Sequence, residues 1–466
     1  MNIKVEIIKP KYATICEQVV FTALFVYLSL IIFSIPTDLN GDPNDYLHLA
    51  RDLFSMETLS NFNRFIGYPI FIKISSLNLA QLNLTFVVQS LIFLIALYYF
   101  AHSISSKPLI RLLIYFPAFI PAVAYLPKLL FPDCLLLSFL LLFCASLLQK
   151  HFLWGALFAC ILMFIKLVFV FCIPFWLAYF LIVQKPNYSQ LFKLIYLGFL
   201  VALVPIVFFL TPFPLYQTTV QNPAFVLDRE QANPLPVNSA TQILCDNNTF
   251  VLLDSVSLKE IVEHSSDALY MPIGKEQAKK WGCSRSDIKN IQRQLITRSF
   301  FLEPGFHVYK FVKRFFRDVF VFPDAQHLWW MLDTKLHLQV STDVDQLFYS
   351  PSEIDYFQSQ EIKPLKQPNL RLLSSLVSLN PIMLKVFSYC ILAGLVFGAI
   401  LHLKIKRIPR GALLVLGLLA SYNFVITFFA FGYDRYLMIN YFLWFGIIGL
   451  YLDRMQLLSN IDSSYE

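Results

Sequence analysis

The sequence predicts an α-helical polytopic membrane protein, and three observations carry that reading. Of 466 residues, 57% are hydrophobic and only 14% charged. Soluble domains carry about 25% charged residues, so this much apolar side chain needs lipid as its solvent. The apolar residues gather into runs near 15–35, 82–102, 109–127, 129–148, 152–184, 194–212, 384–403, 411–430 and 436–452, and about 20 such residues cross a bilayer as a helix. Lys and Arg collect in the short connections between alternate runs, which orients the chain.

The first run follows Lys4, Lys9 and Lys11. A signal peptide's apolar core is about 7–15 residues long and ends at a small-residue cleavage site. This run is longer and passes into Pro36-Thr37-Asp38, so it is expected to be an uncleaved first span. The run 152–184 is too long for one ordinary span. As a tight pair of short helices with its apex near Lys166, it returns the basic stretch Lys404–Arg410 to the side of the N-terminal lysines. Short cytoplasmic loops carry such residues, so the expectation is about ten spans with both termini in the cytoplasm.

The inner connections are then Lys107–Arg111, Lys150–His151, Lys185–Lys193 and Lys404–Arg410. The outer segments are 36–81, the turn near Lys128–Asp133, the apex near Lys166, the long stretch 213–383, and Phe431–Arg435. Three regions follow: an N-terminal membrane module, 1–212, carrying the first outer loop 36–81; a large outer loop, 213–383; and a C-terminal membrane module, 384–466, with the last three spans.

Within the first outer loop, Asn44–Phe54 places apolar residues at helical spacing, as an interfacial amphipathic helix would. A second helix is expected after Gly67-Tyr68-Pro69, through Ile70–Leu77, with Pro69 in its first turn. In the large outer loop, Asp287–Phe322 is helical in pattern, with Lys310, Lys313, Arg314 and Arg317 among Phe and Val. It reads as a basic amphipathic helix on the outer surface, followed by Trp329-Trp330, a pair suited to the membrane interface. No internal repeat is visible.

Ionisable groups near hydrocarbon are costly and mark functional sites. Asp42/Asp45, Arg64, Asp133, Lys166 and Asp434-Arg435 all fall on the outer face, although inner-loop charge alone set the topology. Asp42 and Asp45 suit a carboxylate that takes a proton from an acceptor, with a second that binds the acceptor or a metal; both also suit helix caps. Arg64, before a Gly-Pro turn, offers a phosphate fork or an interfacial anchor. Asp133 after Phe131-Pro132 is a ligand or a cap. Lys166, without a polar neighbour in sequence, is expected to face an anion or a water-filled space, or to snorkel outward. Asp434-Arg435-Tyr436 opens the last span as a site element or a local ion pair.

Other chemistry is not signalled. His264, His307, His327 and His337 lack metal-ligand spacing, and no phosphate-binding Gly-rich loop is present, which argues against a nucleotide donor. The net charge of +7 is positive-inside bias, not a nucleic-acid footprint. Cys16, Cys134, Cys144, Cys160, Cys172 and Cys390 lie in apolar runs as small core residues, whereas Cys245 and Cys283 lie in the outer loop, where a disulfide between them is open. Asn83-Leu84-Thr85 and Asn247-Asn248-Thr249 match the glycosylation sequon, which matters only in a glycosylating host.

The acidic loop followed by Tyr46…Ala50 and then Arg64..Gly67-Tyr68-Pro69 resembles the first outer loop of the GT-C superfamily. These are multispanning glycosyltransferases that use polyprenyl-phosphate sugars; protein O-mannosyltransferases and lipid A aminoarabinose transferases are members. Phe131-Pro132-Asp133 heading a Leu-rich span, Lys166 before a stretch ending in Pro174, Glu303-Pro304-Gly305-Phe306 before a basic helix, and Asp434-Arg435-Tyr436 are similar to the family's pieces in the same order, over residues 10–210 and 290–455.

The resemblance implies an inverting transfer from a polyprenyl-phosphate-linked sugar to an extracytoplasmic glycan, lipid or protein acceptor. It implies Asp42 or Asp45 as the catalytic acidic residue and Lys166, Arg64 and Arg435 as neutralisers of the leaving phosphate. Tyr46, Tyr68, Asp133, Asp434 and Tyr436 would bind substrate. Some relatives need a divalent metal and others none; two close carboxylates can hold Mg²⁺ or Mn²⁺. The expected location is a bacterial inner membrane with the site facing the periplasm. Asp434 stands where the family more often has Glu, and 213–290 resembles nothing in it. Two alternatives stay open: an O-antigen polymerase or ligase, which would need paired arginines in the large loop, and a flippase or transporter, which would need internal repeats.

Overall fold

The computed structural model describes residues 10–34, 42–51, 66–166, 169, 171–184, 240–246, 249–257, 409–429 and 438–462, with scattered positions between 305 and 319 and between 378 and 396. The described chain is mostly helical. Its α-helices are α1 (Pro10–Ser34), α2 (Asp42–Arg51), α3 (Gly67–Ser75), α4 (Leu82–Ile104), α5 (Pro108–Tyr115), α6 (Pro121–Tyr125), α7 (Asp133–Leu148), α8 (Phe152–Ile165), α9 (Cys172–Gln184), α10 (Arg410–Phe429) and α11 (Ile439–Asp462).

Two helices among the described residues are long and apolar enough to cross a membrane: α1, over Tyr12–Phe33, and α4, over Leu82–Ile104. A third candidate, Pro108–Lys128, is not straight. It bends by 72° between Pro108–Phe119 and Pro121–Lys128. Pro117, Pro121 and Pro127 each remove a backbone donor, and the path breaks into short α and 3₁₀ turns at those residues. The span expected over 109–127 is therefore a bent pair of short helices, the form of a broken span or of a re-entrant loop. Shorter apolar helices include α7, α8 and Arg410–Ile426. The run at 194–212 lies outside the described residues.

The long run 152–184 is two helices, as expected. Helix α8 ends at Ile165, Lys166 is extended at φ −155° and ψ 114°, and α9 begins at Cys172. Trp176 Nε1 on α9 donates to Phe152 O on α8 at 3.0 Å, closing the pair. Gly155 lets the two approach: a Cβ there would lie 3.3 Å from the Trp176 ring.

The two helices expected between the first two spans also form. Helix α2 buries Tyr46, Leu47, Leu49 and Ala50. Helix α3 starts at Gly67, with Pro69 in its first turn. It ends at Ser76, whose hydroxyl donates to Ile72 O (2.6 Å) and accepts from Leu79 N–H (2.9 Å). That cap supports three successive residues with positive φ, Leu77, Asn78 and Leu79.

The chain divides into two compact units. One comprises Met1–Leu215, Val321–Tyr422 and Tyr433–Glu466 and holds α1 to α9, α11 and the part of α10 up to Tyr422. The other comprises Tyr216–Phe320 and Asn423–Gly432. It contains an antiparallel hairpin with no clear signal in the sequence, of β1 (Ala240–Asp246) and β2 (Thr249–Ser257), in which Cys245 pairs with Phe250. The described positions from 305 to 319 are helical, in agreement with the pattern over 287–322, and Phe311 meets Phe424 edge-on at 5.2 Å. Lys310, Lys313, Arg314, Arg317, Trp329, Trp330 and Cys283 lie outside the described residues. The six cysteines in apolar runs are free thiols; Cys134, Cys144 and Cys172 are buried.

Candidate functional site

Side-chain contacts sort the polar groups of the first unit to opposite ends of its helices. Helix α1 runs antiparallel to α4 and parallel to α5: Phe21 meets Tyr98 at 5.7 Å and Tyr115 at 5.5 Å. Glu17, near the start of α1, therefore reaches the start of α5. Arg111 donates to both its carboxylate oxygens, at 2.6 and 2.5 Å, and Tyr115 Oη donates at 3.1 Å. His102, at the end of α4, lies 4.0 Å from the same carboxylate. Ser105 Oγ donates to Asp453 of α11 at 2.6 Å, and Tyr99 Oη meets His151 Nδ1 at 3.0 Å. Arg111 and His151 are the residues expected in inner loops.

The other end is built on α2, α3, the starts of α4 and α7, and the end of α8. Lys73 of α3 donates to Arg51 O, the last carbonyl of α2, at 3.1 Å, where a cation is favoured. Ser75 Oγ of α3 donates to Thr85 Oγ1 of α4 at 2.9 Å. Gly67 packs so tightly on α8 that a Cβ would overlap the Phe164 carbonyl, two residues before Lys166.

Tyr68 is the hub. It is fully buried, and its ring meets Tyr46 of α2 edge-on at 5.0 Å and 89°. Its hydroxyl donates to Gln89 Oε1 of α4 at 3.1 Å. Gln89 Nε2 in turn donates to Pro127 O (3.0 Å) and Leu129 O (3.3 Å). Burial pushes the Tyr68 hydroxyl well above its ordinary range. Tyr46, Cys134 and Asp133 push the same way, and the bond to Gln89 opposes them. The group is thus a permanent donor, and the charge of buried Asp133 is felt at it.

Asp133 is the first residue of α7 and 5% exposed. Of the expected site residues, Tyr46, Tyr68, Asp133 and Lys166 are described with their side chains, and the fold places the elements that carry them at one end. Asp42 and Asp45 lie on α2, the helix that Tyr46 ties to Tyr68. Arg64, Asp434, Arg435 and Tyr436 lie outside the described residues. Among the described residues, no group of three or more His, Cys, Asp or Glu is placed to hold a metal ion.

Lys128 lies in the short turn ahead of α7. It is 1% exposed, its Nζ lies 4.4 Å from the centre of the Phe86 ring, and it has no hydrogen-bond partner. Taking an ammonium out of water costs several kcal/mol, and one ring face returns about 0.5–2 kcal/mol. A lone Lys in Leu126-Pro127-Lys128-Leu129-Leu130 is the signal that would have found it. Glu17, a single acid inside an apolar run, is the matching signal at the opposite end.

Comparison of the chain with protein-family models, with curated proteins and with solved structures returns no match.

Proposed function

We propose that the chain is a membrane glycosyltransferase of the GT-C type, with about ten spans, that moves a sugar from a polyprenyl-phosphate carrier to an acceptor outside the cytoplasm. The observation that carries this reading is the convergence, at one end of the bundle, of the helix bearing Asp42 and Asp45, of Tyr68 and Asp133, and of the α8 end at Lys166. The basic residues of the opposite end, Lys107, Arg111 and Lys150, support a cytoplasmic position for that end under the positive-inside rule.

In this reading Asp42 or Asp45 takes the acceptor's proton as its oxygen attacks the anomeric carbon. The bond to the carrier's phosphate breaks with inversion. Negative charge builds on the leaving oxygen, and cations at this end stabilise it. Tyr68 stays protonated and holds the local polar network in place. An acceptor and a lipid-borne donor both reach an interfacial site without crossing hydrocarbon.

The test is turnover of a polyprenyl-phosphate sugar by membranes carrying the parent protein, Asp42→Asn or Asp45→Asn. A positioned general base contributes roughly 10²–10⁴-fold, so one variant is expected to lose activity on that scale. Full activity in both removes the catalytic assignment, and no donor turnover by the parent removes the enzyme class.

A further inference from the structure

We propose that Lys128 is the primary anion contact of this site, binding an oxyanion of the phosphate-ester class. The naming of the anion as the carrier's phosphate rests on the glycosyltransferase reading; the anion site itself does not.

Lys128 is buried in protein, with no hydrogen bond, and only the face of Phe86 beside its Nζ. Asp133, five positions on, does not hydrogen-bond to it. A neutral Leu or Met would fill the same volume without the desolvation penalty that one ring face leaves largely uncompensated. The lysine is also held deliberately. The carbonyls on either side of it, Pro127 O and Leu129 O, both accept from Gln89 Nε2, and Tyr68 fixes the other end of that amide. An amine so placed and so poorly compensated gains most from holding its proton beside an incoming anion. The ammonium is a compact point charge with three donors, which suits a phosphate. The long isoprenoid of a carrier would remain in lipid beside the bundle while its head group met the lysine.

The probes are polyprenyl phosphate, polyprenol and inorganic phosphate, each titrated into the full-length protein purified in detergent, with Lys128→Met and Lys128→Arg beside the parent. Polyprenyl phosphate is expected to bind the parent. Lys128→Met is expected to weaken binding at least about tenfold, and Lys128→Arg to stay within a few-fold. Polyprenol should show no dependence on residue 128. Wild-type affinity in Lys128→Met overturns the proposal and leaves the glycosyltransferase reading standing. Lys128-dependent binding of inorganic phosphate but not of polyprenyl phosphate upholds the anion site and overturns the carrier. Binding of neither by the parent overturns the proposal.

Should Lys128→Met fail to fold, dipolar dephasing of ¹⁵Nζ-lysine by ³¹P in the parent gives a direct readout. A dephased signal that vanishes in Lys128→Arg upholds the contact, and its absence overturns it.

Discussion

The two ends of the helical bundle treat buried charge in opposite ways. At the end built on Glu17 and Arg111, each charge meets its opposite: the guanidinium grips both carboxylate oxygens and Tyr115 adds a third bond. At the end built on Tyr68, the Tyr68 hydroxyl, the Gln89 amide and the carbonyls of Pro127 and Leu129 are bonded to one another, while Lys128 sits buried beside only a ring. The first arrangement is complete without any ligand and reads as a clamp joining α1 to α5. The second bonds the Tyr68–Gln89 pair to the turn but gives Lys128 no hydrogen-bond partner, and that lysine points to something brought from outside. Groups that satisfy each other hold a fold together; a group left unsatisfied in a well-built scaffold is where binding energy can be realised.

Breaking the clamp should give the largest effect on stability. Glu17→Gln leaves the Arg111 guanidinium buried without its partner, which costs about 3–5 kcal/mol. The expected result is a strongly lowered unfolding midpoint in detergent, recovered in large part by the double replacement Glu17→Leu with Arg111→Leu. Lost transfer activity at unchanged stability would instead give this end a direct part in chemistry and remove the contrast.

Gly67→Val should come next. The added side chain meets the Phe164 backbone, so α3 must move off α8. Overpacking costs about 1–3 kcal/mol, and here it also separates Tyr68 from the Lys166 end, so activity should fall by more than the stability loss alone explains. Equal losses in Gly67→Val and in a destabilising change at the clamp would show that the packing of α3 on α8 has no functional role.

Tyr68→Phe keeps the ring against Tyr46 but leaves the Gln89 oxygen without its donor, at about 1–3 kcal/mol. The expected signature is a small fall in unfolding midpoint with a larger loss of affinity for polyprenyl phosphate, because the Gln89 clamp on Pro127 and Leu129 loosens. The smallest effect is expected for Ser105→Ala, which removes the bonds of Ser105 Oγ to Asp453 and to Lys107 N–H; both freed partners are half-exposed and can turn to water, so the loss is held to about 1 kcal/mol. Activity should not change there; a loss would again implicate the clamp end.

Much of this was legible in the chain itself. The breaking of 152–184 into α8 and α9 followed from length and from the sidedness of lysines and arginines. A helix after Gly67-Tyr68-Pro69 and the amphipathic α2 followed from Pro69 and from helical spacing, though α3 spans Gly67–Ser75 and not the expected Ile70–Leu77. The bend in 108–128 was less legible, because its apolar residues mimic one straight span and only three prolines betray the break. The hairpin at 240–257 was hidden among residues rich in Pro and Asn.

Composition and periodicity determined that this chain is built for lipid and mainly of helices, because the hydrophobic effect acts on local runs that can be read in order. They also singled out the charges that stand alone in apolar sequence, since the cost of desolvation belongs to the residue itself. What a charge meets is decided by packing between segments far apart in sequence. Only the tertiary structure shows that Glu17 finds Arg111, that Tyr68 reaches through Gln89 to the turn at Lys128, and that Lys128 finds no counter-charge among the described residues.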